Sequence, residues 1–430
     1  MKYLEPNVVI VDDKIDEIKG LIDHYRSQGI GCKYFNADLN NGDNYPDKQM
    51  SDVMLLFLDL YYSDGPLDSG FDPELSTSWV RSIIHPGAFY ILILWTKDSA
   101  QAELVTNKLD ELNLHPFQTL IESKGSYAID KPEKYDYDKL FNSITARIEE
   151  TPEIEEILIW KSTIKRACNV VLGGLISPEV TEFTNKLQKI ITCHGGEIIS
   201  QAEDSQRKRS TLFEALNNVL ISNAPQYDSE AEISKKNETN LYKVSDGRST
   251  QIDNQLNSWF HFTLKNNLND KIAPGIIAIN NNADLQKYYS IKDDPSVMKS
   301  LSEQLNSKQA VIDDIVLNIT RPCDYAQNKY GKNLKLLSGL LIKKPEKNKK
   351  QDCKTNGPAP DCLVILDHLY LDKDEPDVTL VFDLRYSFSV PESIFPETLQ
   401  NIKMLNKELL SEIQVKYSSY CSRLGYTKIY

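Results

Sequence analysis

Five strongly apolar runs divide the first 150 residues: "NVVIVDD" (7–13), "IGCKYFN" (30–36), "DVMLLFLDLYY" (52–62), "AFYILILWTKD" (88–98) and "PFQTLIESK" (116–124). Most are apolar at successive rather than alternate positions, so both faces of the strands need cover, as in a parallel sheet packed between helices. Amphipathic stretches alternate with them. "KIDEIKGLIDHYRSQG" puts Ile15, Ile18, Ile22 and Tyr25 on one helical face and stops at Gly29. "LSTSWVRSII", "AELVTNKLDELN" and "DYDKLFNSITARIEE" read as three further helices. The expected fold over 1–150 is therefore α/β, a doubly wound parallel five-stranded sheet that holds any ligand at the carboxyl ends of its strands.

Beyond residue 150 the period changes. "EIEEILIWKSTIKRACNVVLGGLI", "PEVTEFTNKLQKIIT" and "STLFEALNNVLIS" are helical, and residues 225–257 are polar and weakly patterned. The stretch 151–257 is expected to be a helical connector and linker, without the strict heptads of a long coiled coil. From 258 to 430, "GIIAIN", "DIVLNIT", "LLSGLLI", "CLVILDHLYL" and "VTLVFDLRY" predict a mostly β domain. A terminal helix is expected over "ETLQNIKMLNKELLSEIQVKYSSYCSRLG". Trp160, Trp259 and His261 are read as core or domain-interface residues. The chain is thus multidomain, and 430 residues suffice for separate cores.

A formal charge of −13 argues against a generic binder of nucleic acid or anionic membrane. No apolar stretch reaches the roughly 18 residues that span a bilayer, and the N-terminus is not signal-like, so a cytoplasmic location is expected. The seven cysteines, an odd and scattered set, fit reduced thiols better than a disulfide framework. Cys353, Cys362 and His368 lack a CxxC pair and match no zinc spacing.

Chemistry concentrates where the first runs end. Asp12 and Asp13 close the first, Asp59 the third, Thr96 the fourth and Lys124 the fifth. In a doubly wound sheet these ends share one edge. Three carboxylates there repel unless a divalent cation balances them, and hard oxygen donors suit Mg²⁺. A carboxylate can attack phosphorus to form an acyl phosphate, with Thr96 and Lys124 supplying a hydrogen bond and a positive charge to the phosphoryl oxygens.

With these residues, positions 7 to about 150 resemble the receiver domain of bacterial two-component response regulators. The resemblance implies that Asp59 is the phosphoacceptor and Asp13 a direct Mg²⁺ ligand, with Asp12 a ligand through water. The backbone carbonyl of Tyr61 completes the metal site, and Thr96 and Lys124 are the switch hydroxyl and the phosphate-contacting lysine. It also implies a cognate histidine kinase as partner and little enzymatic activity beyond phosphoryl transfer and slow hydrolysis. The chain departs from the family pattern at Lys97, where a small residue is usual, and at Ile121, where an aromatic is common. Gly125 follows Lys124 where proline is usual, which makes Lys131, followed by Pro132, a rival for the lysine position.

The last 170 residues resemble output domains that accompany divergent receivers in bacterial conflict and anti-phage signalling operons, on "VLNITRPCDYAQNKYGKNLKLLSGLLI", "VFDLRYSFSVP" and "SRLGYTKI". Cys323 and Asp324 stand as a speculative nucleophile and helper, against the simpler reading of a "PCD" turn at a strand end. Lys343, Lys344, Lys347, Lys349, Lys350 and Lys354 form a lysine-rich loop that offers nucleic acid a local patch, though a solvated loop is preferred. The leading expectation is a phosphorylatable switch acting on the output half, an effector protein or a homodimer. The alternatives are a phosphorylation-silent adaptor and a nucleic-acid-acting effector.

Overall fold

The computed structural model describes residues 5–62, 71–129, 134–151, 153–176, 179–201, 205–224, 233–243, 252–264, 268, 272–281, 295, 299, 311–343 and 361–422. Two compact units emerge, one from residues 1–160 with 231–243 and the other from 161–230 with 244–430. The division falls within the helix Glu153–Gly173.

In the first unit the five apolar runs become β1 (Val8–Asp12), β2 (Cys32–Asn36), β3 (Leu55–Leu58), β4 (Ile91–Thr96) and β5 (Gln118–Ser123). They form one sheet in the order β2-β1-β3-β4-β5, and every pairing is parallel. Four helices link and cover the strands: α1 (Ile15–Ser27), α2 (Pro73–Ile83), α3 (Ala102–Glu111) and α4 (Tyr137–Glu149). Burial on both faces explains the continuous apolarity. Val8, Ile10, Phe57, Ile91 and Ile93 pack with α1 and α4, while Val9, Val11, Leu56, Leu58, Leu92 and Leu94 pack with α2 and α3. At about 25 cal/mol per Å² of apolar surface, these two layers are the main source of the unit's stability.

Chain direction places the chemistry. From β1 the chain moves outward to β2, then returns across β1 to β3. The carboxyl ends of β1 and β3 are therefore neighbours, at the reversal point where open α/β sheets hold their ligands. The α1 stripe differs from expectation. Ile15 is 54% exposed, and the buried face is Glu17, Ile18, Leu21, Ile22 and Tyr25. The helix is rotated so that a glutamate, one turn from the end of β1, faces inward.

In the second unit, the helix α5 (Val180–Gln201) packs against α6 (Ser205–Asn223). A six-stranded antiparallel sheet follows, built from β6 (Ile276–Asn280), β7 (Val311–Asn318), β8 (Asn333–Lys343), β9 (Leu363–Leu369), β10 (Val378–Pro391) and β11 (Leu399–Met404). Its order is β11-β6-β7-β8-β10-β9. The terminal helix α7 (Lys407–Cys421) lays Leu410 and Ile413 on the face that carries Ile277, Leu317, Leu337 and Leu380.

Two expectations are corrected here. The segment from Glu397 onward is not one helix, because Leu399–Met404 is the edge strand β11, antiparallel to β6. Asn406 resets the chain into α7 by accepting the Leu409 N–H. Trp160 and Trp259 are 63% and 57% exposed, which removes the core half of the core-or-interface reading.

Candidate functional site

Asp12 is the last residue of β1, Asp59 directly follows β3, Thr96 ends β4, and Lys124 opens the helical turn Lys124–Tyr127 after β5. All four are buried, as is Glu17. Lys124 is the hub. Its ammonium donates to Asp59 Oδ2 at 2.6 Å, Asp12 Oδ2 at 2.8 Å and Glu17 Oε2 at 2.8 Å. A lysine ammonium has three donors, and each meets a carboxylate here.

The remaining carboxylate oxygens are also held. Asp12 Oδ1 accepts the Lys14 backbone N–H at 2.8 Å. Asp59 Oδ1 accepts the Leu60 N–H at 2.7 Å and the Tyr61 N–H at 3.4 Å. Glu17 Oε1 accepts from Lys97 Nζ at 2.7 Å. Backbone carbonyls brace the edge from outside: Tyr34 donates to that of Asp12 and Tyr137 to that of Glu17. Ligand oxygens of Asp12, Glu17 and Asp59 lie within 4.8 Å of one another.

Electrostatics follow from packing so many charges away from water. Burial, with Asp59 adding to it and Lys124 opposing it, raises the Asp12 carboxyl to about 7. Asp13, half-buried at the rim, is raised to about 6 by desolvation and the charge of Asp59. Burial pushes Glu17 up, but Lys124 and Lys97 together outweigh it and hold the carboxyl below its ordinary value. Desolvation works against the Lys124 ammonium, and the attraction of Asp59, Asp12 and Glu17 overcomes it, so its pKa rises well above the usual.

Of the residues expected to form a site, Asp12, Asp59 and Lys124 are in direct contact, with Asp13 beside them. Thr96 is buried next to the cluster, and its hydroxyl donates to the Asp98 carbonyl at 3.3 Å. Tyr61 lies two residues past Asp59 and donates its hydroxyl to Asp98 Oδ2 at 3.2 Å. Ile121 is 41% exposed, and the rival Lys131 lies outside the described residues. Two members were not anticipated. Glu17 carries a signal in retrospect, since it occupies a position on the apolar stripe of α1. Lys97 stood out only as a departure, and its partner could not be read from sequence.

Elsewhere, Cys323 and Asp324 sit on the short helix Pro322–Ala326 just after β7. The Cys323 thiol is exposed and points to the Asp324 carboxylate at 3.8 Å. Lys343 pairs with Asp313 and Glu375, while Lys344, Lys347, Lys349, Lys350 and Lys354 lie outside the described residues, as does Cys353. His368 takes a left-handed backbone (φ 55°) at a bulge in β9, between Asp367 and Asp377, each 3.6 Å from a ring nitrogen.

Comparison with protein-family models returns no match, and comparisons with curated proteins and with solved structures return none either.

Proposed function

We propose that the first unit is a phosphoacceptor switch of the two-component type, in which Asp59 takes a phosphoryl group from a histidine kinase. The observation that carries this reading is the buried carboxylate of Asp59 at the sheet's reversal point, 2.6 Å from an ammonium and beside two further strand-end acids. The strand order, with helices on both faces, supports it, because this is the arrangement of flavodoxin-like doubly wound domains.

The donor set fits Mg²⁺. Asp12, Asp13, Glu17 and Asp59 supply four negative charges when ionised, Lys97 and Lys124 supply two positive ones, and the excess of two matches one divalent cation. Asp12, Asp13, Asp59 and the Tyr61 carbonyl would hold it. When bound, Mg²⁺ offsets negative charge on the incoming phosphoryl oxygens and orients them. An Asp59 oxygen then attacks phosphorus, the P–N bond to the donor imidazole breaks, and its electron pair stays on nitrogen. Lys124 would stabilise the charge that develops, and Thr96 would turn its hydroxyl from the Asp98 carbonyl toward the product. The altered contacts would be read by the second unit or by a partner protein.

A second reading, a chemically silent adaptor, is favoured by one observation: the three Lys124 donors are already committed to carboxylates. Intact-mass measurement after incubation with acetyl phosphate and Mg²⁺ tests the first reading. One added phosphoryl mass, lost in Asp59→Asn, is expected. No addition, together with no Mg²⁺ affinity in a calorimetric titration, would shift the conclusion to the adaptor.

A further inference from the structure

Charges run in an unbroken line from solvent to the centre of the acidic site. Lys97 directly follows Thr96, and its ammonium contacts Glu17 Oε1 at 2.7 Å. The other oxygen of Glu17 contacts Lys124 at 2.8 Å, and Lys124 contacts Asp59 at 2.6 Å. Exposure falls sharply along that line. The Lys97 side chain is 43% exposed, against 1% for Glu17, 1% for Lys124 and 3% for Asp59. Of the charged groups in the cluster, only Lys97 and the half-buried Asp13 reach the surface. Asp13 belongs to the proposed cation ligands, which leaves Lys97 as the surface end of this line.

The pair is balanced internally. Glu17 adds one negative charge to the strand-end acids and Lys97 adds one positive charge, so together they leave the net charge of the site unchanged. What they alter is the position of Lys124. Glu17 takes one of its three donors, and Lys97 holds Glu17 in place to do so. We propose that Lys97 and Glu17 act as one gate over Asp59: the closed ion pair keeps one Lys124 donor on Glu17 and so withholds it from an incoming phosphoryl group. A donor protein that offers a carboxylate to Lys97 opens it. This regulation rests on the phosphoacceptor reading of Asp59, while the closed pair itself does not depend on phosphorylation. Lys97 and Glu17 are positioning residues, since both act through Lys124.

The test uses the full chain as wild type, Lys97→Met, Lys97→Arg, Glu17→Gln and the Lys97→Met/Glu17→Gln double variant. The first readout is acylation of Lys124 by an amine-reactive acetyl ester, followed by peptide mass spectrometry without Mg²⁺. Protection of Lys124 in wild type and Lys97→Arg is expected, with acylation at least tenfold faster in Lys97→Met and Glu17→Gln. Equal protection in every variant overturns the gate, whatever the fate of the phosphoacceptor reading. The second readout is Mg²⁺ affinity by calorimetry, which a purely structural role would not couple. Lys97→Met removes one of the two ammonium groups that pair with Glu17 and should bind Mg²⁺ several-fold more tightly. The same substitution in the Glu17→Gln background should change affinity less than twofold, because Lys97 is then no longer tethered to the cluster and its exposed charge is screened by water. Equal effects in both backgrounds also overturn the proposal. A wild-type chain that takes neither Mg²⁺ nor phosphate removes the phosphoacceptor reading and the regulatory role with it. The acylation result then decides only whether the closed pair exists.

Discussion

Raising the pH from 5 to 7 with divalent cations chelated is expected to destabilise the first unit. Burial raises the Asp12 carboxyl to about 7, whereas an aspartate in the unfolded chain titrates near 4. Between those values the folded state binds a proton that the unfolded state has released. The slope of unfolding free energy with pH is then negative, about 1.4 kcal/mol per unit for one proton. Stability from this group is fully present below pH 4 and is lost as the pH climbs through 7. From pH 5 to 7 the loss comes to roughly 2–3 kcal/mol. Asp13, raised to about 6, has the same sign, but its half-exposed carboxyl is screened and adds less.

The other shifted members of the cluster act outside that window. Glu17 lies below its ordinary value, so its contribution is present above about pH 4 and is lost on further acidification. Lys124 lies above the ordinary lysine value, so its contribution is constant through neutrality and is lost only at strongly alkaline pH. The measurement is equilibrium urea unfolding in EDTA at pH 5, 6 and 7. Hydrogen-exchange pulses on peptides from β1 and β4 report the first unit alone. Asp12→Asn should remove most of the slope. A wild-type midpoint that stays level or rises over this range, or an Asp12→Asn variant that keeps the wild-type slope, would refute the electrostatic description of the site.

Three further outcomes follow from the same geometry. Saturating Mg²⁺ should raise the urea midpoint more at pH 7.5 than at pH 5.5, because the cation competes with the protons on Asp12 and Asp13; a pH-independent gain would place the ion elsewhere. Lys124→Met leaves three buried carboxylates without their shared ammonium, so the first unit should lose about 3–5 kcal/mol at pH 8 and distinctly less at pH 5, where the acids take up protons. In the second unit, Gly339→Ala would set a Cβ 2.5 Å from the Val381 carbonyl oxygen and 2.6 Å from the Phe382 ring, at the join of β8 and β10. A loss of about 2 kcal/mol or more in urea unfolding is expected there, with Mg²⁺ binding by the first unit unchanged.

The first unit was largely legible because β1, β3 and β4 are runs that only burial on both faces can satisfy, and polar residues close them. Asp12, Asp59 and Lys124 could be placed together for the same reason: once the strands are parallel, their carboxyl ends share an edge. Side-chain partnerships were not legible. A glutamate on a helix is ordinarily solvated, and only a one-position rotation of α1, which exposes Ile15 and buries Leu21, turns Glu17 inward. Strand β11 was missed because "LQNIKM" runs straight into "LNKELL" at a similar apolar density. The one local sign of the break is Asn406, which caps the following helix.

The failure at Glu17 has a physical meaning. A chain selected for stability alone gains little from a buried set of acids around one lysine, because desolvation of each charge offsets most of the attraction, and apolar residues of similar volume often stabilise more. Here the offset is visible in the groups themselves. Lys124 satisfies three acids, yet Asp12 still holds its proton to about pH 7, so the ammonium does not fully compensate the charge gathered around it. The chain has also placed Lys97, a residue with a long and costly side chain to order, where it neutralises the acid that α1 introduces. Local sequence rules tend to fail where function has overridden them. At this sheet edge the rule that charged helix residues face water fails at Glu17, the residue that links the surface lysine to the proposed phosphoacceptor's lysine. That coincidence favours a site whose charge is meant to change, over a scaffold in which the same volume could have been filled by leucine.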